Sequence, residues 1–246
     1  MVFLIKKLKY GFTKKKGRNG LILVRTKGGN IVKKVYRFID FRRCFFNIPG
    51  LIISIEHDSF RSSMISLVSY ANGFLCFILA PANKNVGSYV ESGVNKDYII
   101  GNNTFLSQIP LGARLHNLEI KPGKGGQFAR SGGSWCTLMS KDSNSATIRF
   151  KNNIKYNLSI YCMGTLGQVS KRLNWTNNWK KAGKSRKFGI KPVVRGIAMN
   201  PVDHPNGGRT NGGKVFKTLW GKIAKGIKTK KNRKFKTNNN IILNEI

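Results

Sequence analysis

From Val35 to about Ile109 apolar and polar residues alternate in short runs: Val35 to Phe41, Leu51 to His57, Met64 to Tyr70, Phe74 to Leu79 and Ser88 to Ser92. A period of two in runs rich in Ile, Val, Phe and Tyr predicts half-buried strands. Turn residues punctuate them at Pro49-Gly50 and Asn72-Gly73. An Asn-Gly pair between two alternating runs is a strong hairpin signal, because both residues tolerate positive φ. Five strands at this spacing predict a small barrel of the OB type.

A second β-rich block follows, with candidate strands Arg114 to Ile120, Trp135 to Ser140, Ala146 to Phe150, Lys155 to Ile160 and a last run to Val169. Its loop, Lys121-Pro-Gly-Lys-Gly-Gly-Gln-Phe-Ala-Arg130, breaks the pattern. Glycines let a backbone approach a ligand closely, and Lys121, Lys124 and Arg130 add positive charge, so the loop reads as a phosphate cradle. It lacks the Gly-Lys-Ser/Thr ending of a nucleotide-binding P-loop.

Beyond Lys171 the periodicity thins, and Asn, Gly and Lys alternate with isolated Trp175, Trp179, Phe188, Phe216 and Trp220. A short helix over Ser170 to Trp179 would place Trp175 and Trp179 at i, i+4, which is first a packing stripe. The remainder has too little apolar surface to offset its chain entropy alone, which predicts an extended tail ordered by a partner. The chain therefore reads as all-β: a basic N-terminal arm (1–34), an OB-type barrel (35–110), a second barrel (111–170) and an extended basic C-terminal tail (171–246).

Charge sharpens this division. The 246 residues carry a net charge of +36 with pI near 10.6. A free globule of that charge repels itself, so the ordinary state is a complex with a polyanion, nucleic acid first. Residues 1–37 hold 12 basic side chains and no acid, and residues 171–236 hold 20 against Asp203 alone. The middle is close to an ordinary soluble protein, and the ends are polyanion-binding arms.

Other chemistries find little support. Cys44, Cys76, Cys136 and Cys162 include no Cys-x-x-Cys pair, which disfavours zinc and points to reduced thiols in or near the core. No apolar run approaches the roughly 20 residues that span a bilayer, and Met1 to Ile5 is too short for a signal-peptide core. Residues 195–208, with one His, one Asp, two Pro and three Gly and no helical or strand period, are shaped for contact. Asp203 beside His204 could suggest an acid–base pair, but no nucleophile motif accompanies it, and one acid in the basic tail cannot build a two-metal nuclease site. His57 and His116 fall in strands and read as strand-end polar groups. Trp220, near Lys217 and Lys222, has better claims to base or sugar contact.

A resemblance becomes specific in the order of motifs. Gly17-Arg-Asn-Gly20, Tyr36-Arg37-Phe-Ile-Asp40-Phe-Arg-Arg43, Ile55-Glu56-His-Asp58 with Arg61-Ser62, Ile78-Leu-Ala-Pro81, Ser92-Gly93, Gly101-Asn102, Ile109-Pro110, His116-Asn117, Lys121 to Gln127, Ala129-Arg130-Ser131 and Arg195 to His204 are similar to the family of universal large-subunit ribosomal protein two. The resemblance implies an OB barrel followed by an SH3-like barrel with basic extensions. It also implies binding to large-subunit rRNA near the peptidyl transferase region, a role in subunit assembly, subunit association and translation, and no enzymatic activity. Family motifs carry over to Lys121, Gly123, Lys124, Gly125, Gly126, Gln127, Ala129 and Arg130. In the tail they carry over to Arg195, Gly196, Met199, Asn200, Pro201, Asp203, His204, Pro205, Gly207 and Gly208. The family's His-Pro-His-Gly-Gly is here His204-Pro205-Asn206-Gly207-Gly208.

To these candidate rRNA contacts the basic arms add Arg18, Lys184, Arg186, Arg209, Trp220, Lys228, Lys230, Lys231 and Arg233. Expected partners are large-subunit rRNA, other large-subunit proteins and, at the subunit interface, small-subunit rRNA. No cofactor, small-molecule substrate or membrane is expected, and Mg²⁺ enters only as part of the rRNA environment. Abundant Asn, Ile, Phe and Lys, with a leading segment shorter than in bacterial relatives, suggest an A+T-rich organelle genome and a mitochondrial ribosome, with plastid or bacterial cytoplasm as the alternative. Two other readings are a free OB-type single-strand binder, which leaves the glycine-rich loop and the tail unexplained, and a nucleic-acid enzyme using Asp203 and His204.

Overall fold

The computed structural model describes residues 9–11, 35–94, 97–176, 178–188, 190, 192–208, 213, 215–225 and 241–242. In chain order the strands are β1 Lys9–Gly11, β2 Val35–Arg37, β3 Gly50–His57, β4 Met64–Tyr70, β5 Leu75–Leu79, β6 Tyr89–Val90, β7 Asn103–Phe105, β8 Arg114–His116, β9 Leu118–Glu119, β10 Gly126–Phe128, β11 Cys136–Lys141, β12 Ser145–Phe150, β13 Lys155–Ser159, β14 Met163–Leu166 and β15 Ile241–Ile242. Among the described residues one α-helix, α1, covers Ala182–Lys187, and 3₁₀ turns cover Asn174–Thr176 and Gly196–Ala198. The described residues form two units: one carries both large sheets and holds those up to Asn178 together with Ile241–Ile242, and the other holds those from Trp179 to Lys225.

The first sheet has the order β5-β4-β3-β6. At Asn72-Gly73 the expected hairpin forms: Gly73 sits at φ +81°, and Asn72 Oδ1 accepts the Phe74 N–H. A bulge between Ile52 and Ser54 bends β3 against β4. After β2 the chain continues to Ile39, which bridges Phe77 in parallel, while the Asp40 N–H donates to Phe77 O at 2.8 Å. That fifth segment beside β5 completes an OB-type arrangement around Ile52, Val68, Tyr70, Ile78 and Val90. Burying each aliphatic side chain in this way contributes about 1.5–3 kcal/mol. Part of the expected N-terminal arm is strand: β1 pairs antiparallel with β2, Lys9 opposite Arg37.

The second sheet, of SH3-like type, runs β15-β13-β12-β11-β8-β14-β7 over a core of Leu106, Ile109, Leu115, Leu118, Cys136, Leu138, Ile148 and Leu166. It begins earlier than residue 111, because β7 pairs with β14. Strands this short carry too few alternations to be read from sequence, and the same holds for β10, which pairs with β9. Bridges such as Pro81 to Val169, and the Ser62 hydroxyl accepting the Gly132 N–H at 2.9 Å, join the two sheets within this unit.

Two expectations are corrected. The helix over Ser170 to Trp179 is only the 3₁₀ turn, and Trp179 instead stacks on Phe188, centroids 5.3 Å apart at 12°. Regular helix comes later in α1, where Lys184, Arg186 and Lys187 in its last turn favour the negative end of the helix dipole. All four cysteines are free thiols, but Cys44 is exposed, not buried among apolar neighbours. Burial pushes the Cys136 and Cys162 thiols up to about 12, which leaves them unreactive.

Candidate nucleic-acid interface

The glycine-rich loop is closed from within. Glu119, 3% exposed at the end of β9, accepts the Gly125 N–H at 2.8 Å through Oε1 and the Gly123 N–H at 3.2 Å through Oε2. Its Oε2 also accepts the Met163 N–H at 3.1 Å. The Lys124 N–H donates to Lys121 O, and the Gly126 N–H to Phe41 O. The backbone donors that suggested a phosphate cradle therefore already serve a buried carboxylate. Its glycines are required by the protein's own packing: a Cβ on Gly126 would lie 2.2 Å from Asn117 Oδ1, and Gly123 and Gly125 have φ of +72° and +86°. What the loop offers outward is the exposed side chains of Lys121 and Lys124.

Beside it lies a cluster of arginines and aromatic rings. The Arg130 guanidinium sits 4.7 Å from the Phe41 centroid, and Arg61 sits 5.4 Å from Phe41 and 5.6 Å from Tyr36. Buried Asp58 sets Arg61, accepting its Nε–H at 3.0 Å and the Phe60 N–H at 2.9 Å. Tyr36 packs edge-on to Phe38 and Phe60, both exposed. Arginine over an aromatic face keeps donors for phosphate while the ring fixes the plane. Charge counting along the sequence missed Arg61 and the rings; the motifs Tyr36 to Arg43 and Arg61-Ser62 were the signals for them.

The segment from Arg195 to Gly208 is knotted on itself. His204 lies against Gly196, where a Cβ would come within 2.4 Å of its Cε1, and a Cβ on Gly207 would come within 2.2 Å of Asn200 O. The Asn206 N–H donates to His204 Nδ1 at 3.0 Å, and the Gly208 N–H donates to Met199 O at 3.0 Å. Asn206, 4% exposed, accepts the Lys217 N–H at 2.7 Å and donates to Val215 O at 3.2 Å. Its amide thus ties this loop to the segment that follows. Among the described residues no hydrogen bond joins the exposed Asp203 carboxylate to His204, whose Nδ1 serves the backbone, so the pair is not arranged as an acid and base.

The Lys184 and Arg186 side chains are exposed on α1, Arg195 and Asn200 are exposed in the loop, and Trp220 is 73% exposed. Lys225 Nζ lies 4.5 Å from the Phe216 ring. Arg18, Arg209, Lys228, Lys230, Lys231 and Arg233 lie outside the described residues. His116 ends β8 as expected, yet it is fully buried. Its ring rests near the Gly167 backbone with neither nitrogen in a complete hydrogen bond, and burial pushes its pKa down to about 4. Among the described residues no three His, Cys, Asp or Glu side chains are gathered as metal ligands, and no helix is long and apolar enough to cross a membrane.

Residues 5–92 match the family model of Ribosomal Proteins L2, RNA binding N-terminal domain, and residues 99–231 match that of Ribosomal Proteins L2, C-terminal domain. The chain belongs to the ribosomal protein L2 family. Large ribosomal subunit protein uL2 of Orientia tsutsugamushi (strain Ikeda) is 44% identical over 236 residues, 93% of this chain and 85% of that protein. The proteins of the same name from Paracoccus denitrificans (strain Pd 1222) and Phenylobacterium zucineum (strain HLK1) are 42% and 44% identical, each over 93% of this chain and 84% of their own length. L2 proteins are structural ribosomal components rather than enzymes. The first L2 match covers the first sheet together with Phe41 before β3 and Arg61 between β3 and β4, and the second covers the Glu119 loop, Arg130 and the Asn206 knot. Both halves of the arginine–aromatic cluster therefore belong to L2 domains.

Proposed function

We propose that this L2-family chain is a structural, rRNA-binding constituent of the large ribosomal subunit. The observation that carries the reading is the arginine–aromatic cluster of Arg61, Arg130 and Phe41 beside exposed Lys121 and Lys124, in a chain of net charge +36. Guanidinium and ammonium groups contact phosphates, exposed rings take up unstacked bases, and basic arms thread into the RNA fold. Binding near the peptidyl transferase region, support of subunit association through small-subunit rRNA and neighbouring large-subunit proteins as partners follow from the same reading. The protein acts without a cofactor, with Mg²⁺ supplied by the RNA.

For location we propose the ribosome of a mitochondrion, on the abundance of Asn, Ile, Phe and Lys; the bacterial identity of the relatives favours the bacterial cytoplasm as the second reading. Sedimentation of cell and organelle lysates at moderate and high salt tests both. Co-migration with the large subunit that survives high salt is expected. A free or nuclease-sensitive small species would overturn the ribosomal reading, and recovery from cytosolic particles alone would overturn the mitochondrial one.

A further inference from the structure

We infer that a cavity on the second sheet captures one unpaired RNA nucleotide; this rests on the rRNA-binding reading and adds a site to it. The cavity has a volume of about 440 Å³ and is bordered by Phe128, Arg130, Ser134, Trp135, Lys151 and Asn152. Clefts of roughly 300–1,000 Å³ suit small planar ligands. Phe128 is braced edge-on by Phe150, with centroids 5.1 Å apart, and Arg114 lies 4.9 Å from the Trp135 centroid, so both rings are held in place by neighbours. Arg130 and Lys151 are exposed cations at the border, suited to a phosphate.

Polar groups complete the lining. The Ser134 hydroxyl donates to Ser131 O at 2.6 Å, which leaves its oxygen as an acceptor, and Asn152 Oδ1 accepts the Ile154 N–H at 3.2 Å, which sets that amide. Ala129, also on the cavity wall, is held at φ +50°, a conformation that costs a side-chain-bearing residue energy and recurs at ligand sites. The turn it makes follows the bulge in β10 and leads directly into Arg130. Aromatic faces, hydrogen-bonding groups and two cations around one hollow are the parts that recognise a splayed-out nucleotide, whereas paired RNA keeps its bases out of reach.

The test uses the full chain and two RNA hairpins, one fully paired and one with a single bulged nucleotide, followed by fluorescence anisotropy across a salt series. Wild type is expected to prefer the bulged hairpin by at least about fivefold, the contribution of one stacked base. Trp135→Leu, and separately Lys151→Ala with Asn152→Ala in the surface turn, are expected to erase that preference while leaving affinity for the paired hairpin within about twofold. Equal binding of both hairpins by wild type, or a preference retained in both variants, overturns the inference and leaves the rRNA reading standing. Binding of neither hairpin overturns both. Displacement of the bulged hairpin by micromolar AMP alone would assign the cavity to a free mononucleotide and overturn capture from RNA.

Discussion

Glu119 accepts the Gly125 N–H at 2.8 Å, so a buried carboxylate occupies the middle of the glycine-rich loop that follows β9. The acid fills from inside the nest of amides that an incoming phosphate would otherwise meet. The loop's shape is thereby set before RNA arrives, and its contribution to binding passes to Lys121 and Lys124.

Replacing Glu119 with Ala removes one acceptor from three backbone donors, Gly123, Gly125 and Met163. The expected cost is about 3 kcal/mol of stability, since buried donors left unpaired forfeit their desolvation energy. Urea unfolding measures this, and hydrogen exchange should show the Gly123 and Gly125 amides losing protection first. Unaltered protection there would refute the closed-loop account.

Lys124→Ala with Arg130→Ala is expected to weaken rRNA binding and flatten the slope of log affinity against log salt by about 1.4–1.8, two phosphates' worth of counterion release. Titration of an rRNA fragment at several salt concentrations reads this directly. A weakened affinity with the original slope would mean that neither side chain meets a phosphate.

His116 links stability to pH. Burial holds its folded pKa at about 4, whereas an unfolded histidine titrates near 6.5. Between these values the unfolded chain binds a proton that the folded chain does not, so stability rises with pH across that window. The contribution is complete above about pH 6.5 and is lost progressively as pH falls towards 4, amounting to roughly 3 kcal/mol. His116→Leu should shallow the fall in urea midpoint between pH 6.5 and 5, and an identical fall in wild type and variant would count against it.

Asn206→Ala should unpin the loop, because it removes both the acceptor for the Lys217 N–H and the donor to Val215 O. Asn206→Asp keeps the acceptor alone and is expected to have an intermediate effect. Faster exchange at the Lys217 amide is the readout, with a local loss of about 1–2 kcal/mol for Ala.

His204→Ala empties the ring contact with Gly196 and the acceptor for the Asn206 N–H, while Asp203→Asn alters an exposed group. Large subunits carrying His204→Ala are expected to assemble poorly, whereas those carrying Asp203→Asn should be milder. Normally assembled subunits with a slowed peptide-bond step in either variant would argue for chemistry instead of positioning.

By itself the sequence determined the parts that depend on local periodicity and total charge. Alternation in Met64 to Tyr70 and the Asn72-Gly73 turn marked a hairpin, the two β-rich blocks marked two sheets, and the basic ends marked a polyanion partner, because side-chain period and net charge are properties of the chain and not of its packing. The motif order from Gly17 to His204 carried the family. Only the tertiary structure decided which groups face outward. Whether the Lys121 to Gln127 amides are open depends on Glu119 folding beneath them; Arg61 and Arg130 meet over Phe41 only when the two sheets join; and Asn206 earns a partner only when residues 215–217 return to it. Such contacts join residues distant in sequence, where no local period records them. Strands as short as β7 and β10 escape for the related reason that neighbouring strands, and not their own residues, hold them in place.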